Sequence, residues 1–129
     1  MDKIHTPSIA VILAGGRGER LKSIIKDVPK PMAKIRNKPF LEYLLDHWHK
    51  QGIKKFILSI GYLPEIIINH FGNKFKDAEI VYVIEKTPLG TGGGLILCNE
   101  HIPKDQSVIV INGDTYFPIK LFQFLDKLE

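Results

Sequence analysis

The sequence predicts an α/β fold with a doubly wound, Rossmann-like, mostly parallel sheet. Two observations carry that prediction. Four short apolar runs recur along the chain: Ser8–Ala14, Lys55–Ile60, Glu79–Ile84 and Ser107–Ile111. They do not alternate with polar residues, which is the pattern of strands buried on both faces. Between them lie segments with helical spacing, and strand–helix alternation with short connections builds a parallel sheet covered by helices.

The elements follow in order. Ser8-Ile9-Ala10-Val11-Ile12-Leu13-Ala14 is the first strand and ends in glycine. Pro39 is suited to the first turn of a helix, and Leu41, Leu44, Leu45 and Trp48 then share one face, with Gly52 as the stop. A second helix is predicted from Pro64 to His70, a third from Gly93 to about His101, and a fourth from near Pro118, carrying Leu121, Leu125 and Leu128. No internal repeat, low-complexity segment or linker divides the 129 residues, so a single domain is expected.

Composition narrows the function classes. The charged fraction of 25% and hydrophobic fraction of 44% are those of a soluble globular chain. No apolar run is long enough to span a membrane, and Met1–Pro7 lacks the layout of a secretion signal. Cys98 is the single cysteine, so no internal disulfide forms and a cytoplasmic location is expected. The net charge of +4 favours anionic partners. The lysines are scattered and not interleaved with aromatics, which argues for a small phosphorylated ligand over a nucleic acid. The histidines have no zinc-ligand spacing, and Cys98 reads as a buried structural thiol.

In doubly wound sheets ligands sit at the carboxyl ends of the strands. Those ends carry Gly15–Arg20, Gly61-Tyr62, Glu85–Gly93 and Asn112-Gly113-Asp114, and a further motif lies at Val28–Met32. Gly15-Gly16-Arg17-Gly18-Glu19-Arg20-Leu21 follows the first strand. Its glycines allow close backbone approach, and bare N–H groups before a helix cradle phosphate. It lacks the third small residue of a dinucleotide loop and the Gly-Lys-Ser/Thr of a P-loop. An ordinary tight turn fits the same glycines. Val28-Pro29-Lys30-Pro31-Met32 mounts one lysine between two prolines, either as a fixed cation for a phosphate oxygen or as a solvated side chain. Glu85–Gly94 ends in four glycines among five residues, as suits backbone lying flat against a nucleobase or a flexible entry to a helix. Asn112-Gly113-Asp114 sets a carboxylate after a strand, where it can hold Mg²⁺ near phosphate or simply cap a turn.

Taken together, these segments resemble the sugar-phosphate nucleotidyltransferase family. Ala14–Leu21 resembles its signature loop, and Pro29–Met32, Asn37–Pro39, Pro88–Gly93 and Asn112–Asp114 follow in the family's order, across about residues 8–117. The run Lys22–Ala33, with Pro39–Tyr43 and Asn112–Phe117, is most similar to members that use GTP and a heptose 1-phosphate. The resemblance implies synthesis of an NDP-sugar, for surface polysaccharide, from a nucleoside triphosphate and a sugar 1-phosphate with Mg²⁺. It assigns the triphosphate to the backbone of Gly15, Gly16 and Gly18 with Arg20. It gives the α-phosphate to Lys30, the base and ribose to Glu85, Leu89, Gly90 and Thr91, and a further part in nucleotide binding to Leu13 and Ala14. It gives the metal to Asp114. Arg17 falls at a variable position and receives no role. Mannose, glucose or N-acetylmuramate 1-phosphate with GTP, UTP or dTTP are the family's other options. The resemblance also implies a sugar-binding part and a second metal-binding Asp beyond Glu129. The residues in hand are therefore expected to be the N-terminal, nucleotide-binding part of a longer domain. The alternative is a non-catalytic nucleotide-binding or assembly module, in which an open sheet edge favours self-association into a homo-oligomer.

Overall fold

The computed structural model describes residues 7–15, 29–86 and 90–113. Seven strands and three helices are seen among them. The strands are β1 (Ile9–Ala14), β2 (Lys34–Ile35), β3 (Lys38–Pro39), β4 (Lys55–Ile60), β5 (Lys74–Phe75), β6 (Ala78–Ile84) and β7 (Val108–Asn112). The helices are α1 (Phe40–Lys50), α2 (Pro64–Phe71) and α3 (Gly90–Cys98). Short 3₁₀ turns cover Lys30–Met32 and Asn99–His101.

The main sheet has the order β5-β6-β4-β1-β7. All its pairings are parallel except β5–β6. The central strand β1 is buried on both faces, which is why its sequence does not alternate. Ala10, Ile12 and Ala14 face one layer, where Leu41, Leu44, Leu45 and Trp48 of α1 and Ile67 of α2 pack. Ile9 and Val11 face the other layer, where Cys98 and Leu95 of α3 pack. Counted in chain order, the parallel strands lie third, second, first, fourth. Winding therefore reverses between β1 and β7. Crossovers of one hand then put α3 on the face opposite α1 and α2, as observed.

The predicted strands and the first two helices lie within a residue or two of their observed bounds. The third helix does not. It starts at Gly90, three residues early, and its α-helical part stops at Cys98 rather than His101. Gly90–Gly93 is thus the first turn of α3 and not an extended loop. Glycine costs about 1 kcal/mol per residue in a helix, so propensity alone hides this turn. Two antiparallel pairs were also not expected. The β2–β3 hairpin turns through Arg36 and Asn37, both at positive φ, as a primed two-residue turn requires. The predicted fourth helix and the segment 16–28 lie outside the described residues. Among the described residues no helix is long and apolar enough to cross a membrane.

At the amino end of the sheet a charged belt joins α1 to the β5–β6 turn. The Asp77 carboxylate meets the His49 ring and, at 2.9 Å, Lys54 Nζ. Asp46 pairs with Lys76 and, at 3.0 Å, with Lys50. The His49 hydrogen bond and then Lys54 pull Asp77 down to about 2. The Lys76 hydrogen bond pulls Asp46 down to about 2, against an opposing effect of burial and with further help from the Lys50 hydrogen bond. Both carboxylates are solvated enough for salt to screen them.

Two outcomes follow. Phe56 is fully buried in the layer under α1 and α2. Phe56→Ala should lower unfolding stability by about 3–5 kcal/mol in urea melts, through lost burial and a cavity. The depressed carboxylates stabilise the fold above their unfolded value of 3.8 and cease to do so as pH falls through about 2. The melting temperature should drop between these limits, and the drop should be shallower in the Asp46→Asn/Asp77→Asn double variant.

Candidate nucleotide site at the strand switch point

The reversal between β1 and β7 opens a crevice at their carboxyl ends. Leu13, Ala14 and Gly15 reach it from β1, and Asn112 and Gly113 reach it from β7. The two ends are joined, since the Gly113 N–H donates to Leu13 O at 2.9 Å. A Cβ on Gly113 would come within 2.9 Å of Ala14 Cβ. Only glycine lets the chains meet this closely. Asp114 follows directly but lies outside the described residues.

The neighbouring strand ends close over the same place. The Glu85 N–H donates to Ile60 O at 2.7 Å, extending the β4–β6 pairing by one residue. A Cβ on Gly61 would lie 2.8 Å from Gly15 O. Glu85 and Ser59 are the buried polar residues of the described core, at 9% and 0% exposure. Ser59 Oγ donates to Glu85 Oε1 at 3.1 Å. The carboxylate is wedged between two glycines. A Cβ on Gly94 would sit 2.5 Å from Oε1, and one on Gly15 would sit 2.6 Å from Oε2. Cys98 is buried beside them, and burial raises its thiol above the ordinary range, while a Ser59 hydrogen bond offsets part of that rise.

The α3 amino terminus faces the same end of the sheet, because the helix runs back from the end of β6 to the start of β7. Gly90 and Thr91 form its first turn. Their N–H groups belong to the unsatisfied set at any helix start, which favours anions and carbonyl acceptors. The glycine-rich segment therefore presents oriented donors where the sequence suggested a flat loop.

Lys30 stands at the start of the 3₁₀ turn Lys30–Met32. Pro29 precedes it in extended backbone and Pro31 follows within the turn. Met32 is buried in the same cluster as Ala14 and the α1 leucines. The Met32 N–H donates to Pro29 O at 2.8 Å and the Ala33 N–H to Lys30 O at 3.0 Å. The lysine is thus carried on a fixed mount, as the two prolines predicted.

Of the residues the sequence singled out, the structure brings Leu13, Ala14, Gly15 and Glu85 together at the crevice. It sets Gly90 and Thr91 on the helix that closes it. Gly16, Gly18, Arg20, Leu89 and Asp114 lie outside the described residues. Among the described residues no group of three His, Cys, Asp or Glu side chains comes together as a metal site. Ser59 was missed. Its signal was present, as the one hydroxyl in the apolar run Phe56–Ile60.

Comparison with known proteins agrees with this fold. Residues 9–129 match the nucleotidyl transferase family. The chain is 50% identical to the D-glycero-alpha-D-manno-heptose 1-phosphate guanylyltransferase of Campylobacter jejuni over 112 residues, covering 87% of this chain and 50% of that protein. It is 45% identical to the enzyme of the same name from Aneurinibacillus thermoaerophilus over 118 residues, covering 92% and 51%. The crystal structure of HddC from Yersinia pseudotuberculosis superposes with a TM-score of 0.81 at 40% identity, covering 93% of this chain and 53% of that one. HddC complexed with GMP-PN gives a TM-score of 0.80. The chain spans about half the length of the relatives it matches. With a parallel sheet that reverses at a glycine-rich crevice and a family match across nearly all its length, the chain belongs to the nucleotidyl transferase family.

Proposed function

We propose that the protein acts as a sugar-1-phosphate guanylyltransferase, using GTP and a heptose 1-phosphate. The observation that carries this reading is the junction of Gly15, Gly113 and Glu85 at the switch point, in a chain 45% and 50% identical to two heptose 1-phosphate guanylyltransferases. A phosphate oxygen of the sugar 1-phosphate attacks the α-phosphorus of GTP. A new P–O bond forms, the bond to the β-phosphate oxygen breaks, and pyrophosphate leaves with the electron pair. Such transfers need positioning and charge neutralisation more than covalent help.

The roles divide by position. The backbone of Gly15, Gly16 and Gly18, with Arg20, holds the triphosphate. Lys30, on its proline-braced turn, neutralises the charge that grows on the α-phosphate. Glu85, Leu89, Gly90 and Thr91 flank the base and ribose, and Leu13 and Ala14 also contribute to nucleotide binding. Asp114 is the residue that would hold Mg²⁺, and the metal when bound supplies further charge neutralisation on phosphate oxygens. A carboxylate is the kind of hard oxygen donor that Mg²⁺ takes, and the residue before it in sequence, Gly113, is hydrogen-bonded to Leu13 O at the end of β1. A cytoplasmic setting suits such substrates and the buried thiol of Cys98.

Pyrophosphate release measured with a panel of triphosphates and sugar 1-phosphates tests the reading. GTP with heptose 1-phosphate should give the highest kcat/KM. Binding of GTP without transfer to any sugar phosphate would instead make the protein a nucleotide-binding module. Lys30→Ala should lower turnover by at least ~10²-fold, the scale of losing one preorganised charge-stabilising donor. A loss of less than about threefold would remove Lys30 from the chemistry.

A further inference from the structure

The Ser59 hydroxyl has no role in the transfer chemistry, yet it is fully buried and bonded to the buried carboxylate at the crevice. Burying a carboxylate is costly unless hydrogen bonds compensate it. A side chain held that way has one orientation instead of several. The two oxygens of Glu85 are unequal in this respect. Oε1 is held by Ser59 and abuts Gly94, whereas Oε2 has no such bond to Ser59 and lies nearest Gly15, at the end of β1. Ser59 is fully buried on β4, and so is Cys98 of α3, in the layer that packs on β1. The Ser59–Glu85 bond thus ties the body of β4 to the end of β6.

We propose that Ser59 is a positioning residue for base selection. By holding Glu85 Oε1 it keeps Oε2 turned to the crevice as an acceptor for the donor edge of a guanine ring. This rests on the reading of the site as a GTP site. Guanine offers N–H donors on its pairing edge, where adenine places an unprotonated ring nitrogen. A carboxylate accepts only, so it bonds the first and repels the second. Sites that hydrogen-bond a buried edge reject the ligand that lacks it far more strongly than apolar pockets do. The glycines at 15 and 94 serve the same end, since any side chain there would displace the carboxylate.

The test is calorimetric titration of the protein with GTP, ATP and inorganic tripolyphosphate in Mg²⁺. Ser59→Ala should lower the ratio of GTP to ATP affinity by roughly tenfold, the scale of a hydrogen bond to a charged group. Tripolyphosphate affinity should stay within about twofold, which a general loosening of the fold would not allow. Ser59→Thr should keep the GTP preference, and Ser59→Val, of equal volume but without the hydroxyl, should lose it. An unchanged preference in the Ala and Val variants overturns the role of Ser59 and leaves the GTP reading intact. If Ser59→Ala does not fold, equal preference in the Thr and Val variants overturns it. Failure of the unaltered protein to prefer GTP over ATP overturns both.

Discussion

The buried carboxylate of Glu85 is the constraint on which the crevice depends. A charge that deep in the protein is tolerated only with a partner, and Ser59 supplies one from the next strand. Its position bears on two glycines, one of them distant in sequence. A side chain at Gly15 or Gly94 would push the carboxylate out of the place it occupies. One side chain therefore couples the ends of β1, β4 and β6 and the body of α3. Four elements meet around a single acceptor.

Topology explains why that meeting point is also a binding site. The strand order reverses between β1 and β7, so α3 lies on one face of the sheet and α1 and α2 on the other. No helix can cross over the strand ends where the winding changes. The Gly113–Leu13 hydrogen bond closes the floor of the gap. The first turn of α3 faces the same end of the sheet with the N–H groups of a helix start, and Lys30 stands on a turn anchored through Met32 in the α1 layer. Rigid packing on one side and bare backbone on the other is what a charged, planar ligand needs.

Much of this was legible in the sequence because burial leaves a direct imprint on it. The runs Ile9–Ala14 and Lys55–Ile60 sit between two layers, and so their apolar residues are continuous. Leu41, Leu44, Leu45 and Trp48 keep helical spacing because one face of α1 is buried. What was not legible depends on contacts between distant residues. The start of α3 at Gly90 defies local propensity, which tertiary packing overrides. The Ser59–Glu85 bond joins residues 26 apart, so neither position alone signals it. The two-residue strands β2 and β3 are too short to carry a period. Of the site itself, Gly15, Lys30 and Glu85 could be named from motif order, while the reason Gly94 is glycine could come only from the carboxylate beside it.

The account stands on nucleotide binding at the Gly15–Glu85–Gly113 junction, and amide chemical shifts measured during a GTP titration in Mg²⁺ test that most directly. The largest shifts are predicted at Gly15, Gly61, Glu85, Gly94 and Gly113, with little change at the amino end of the sheet around Lys54 and Asp77. Shifts concentrated at Lys54, Asp77 and the carboxyl end of α1, with the glycine junction unmoved, would contradict the account.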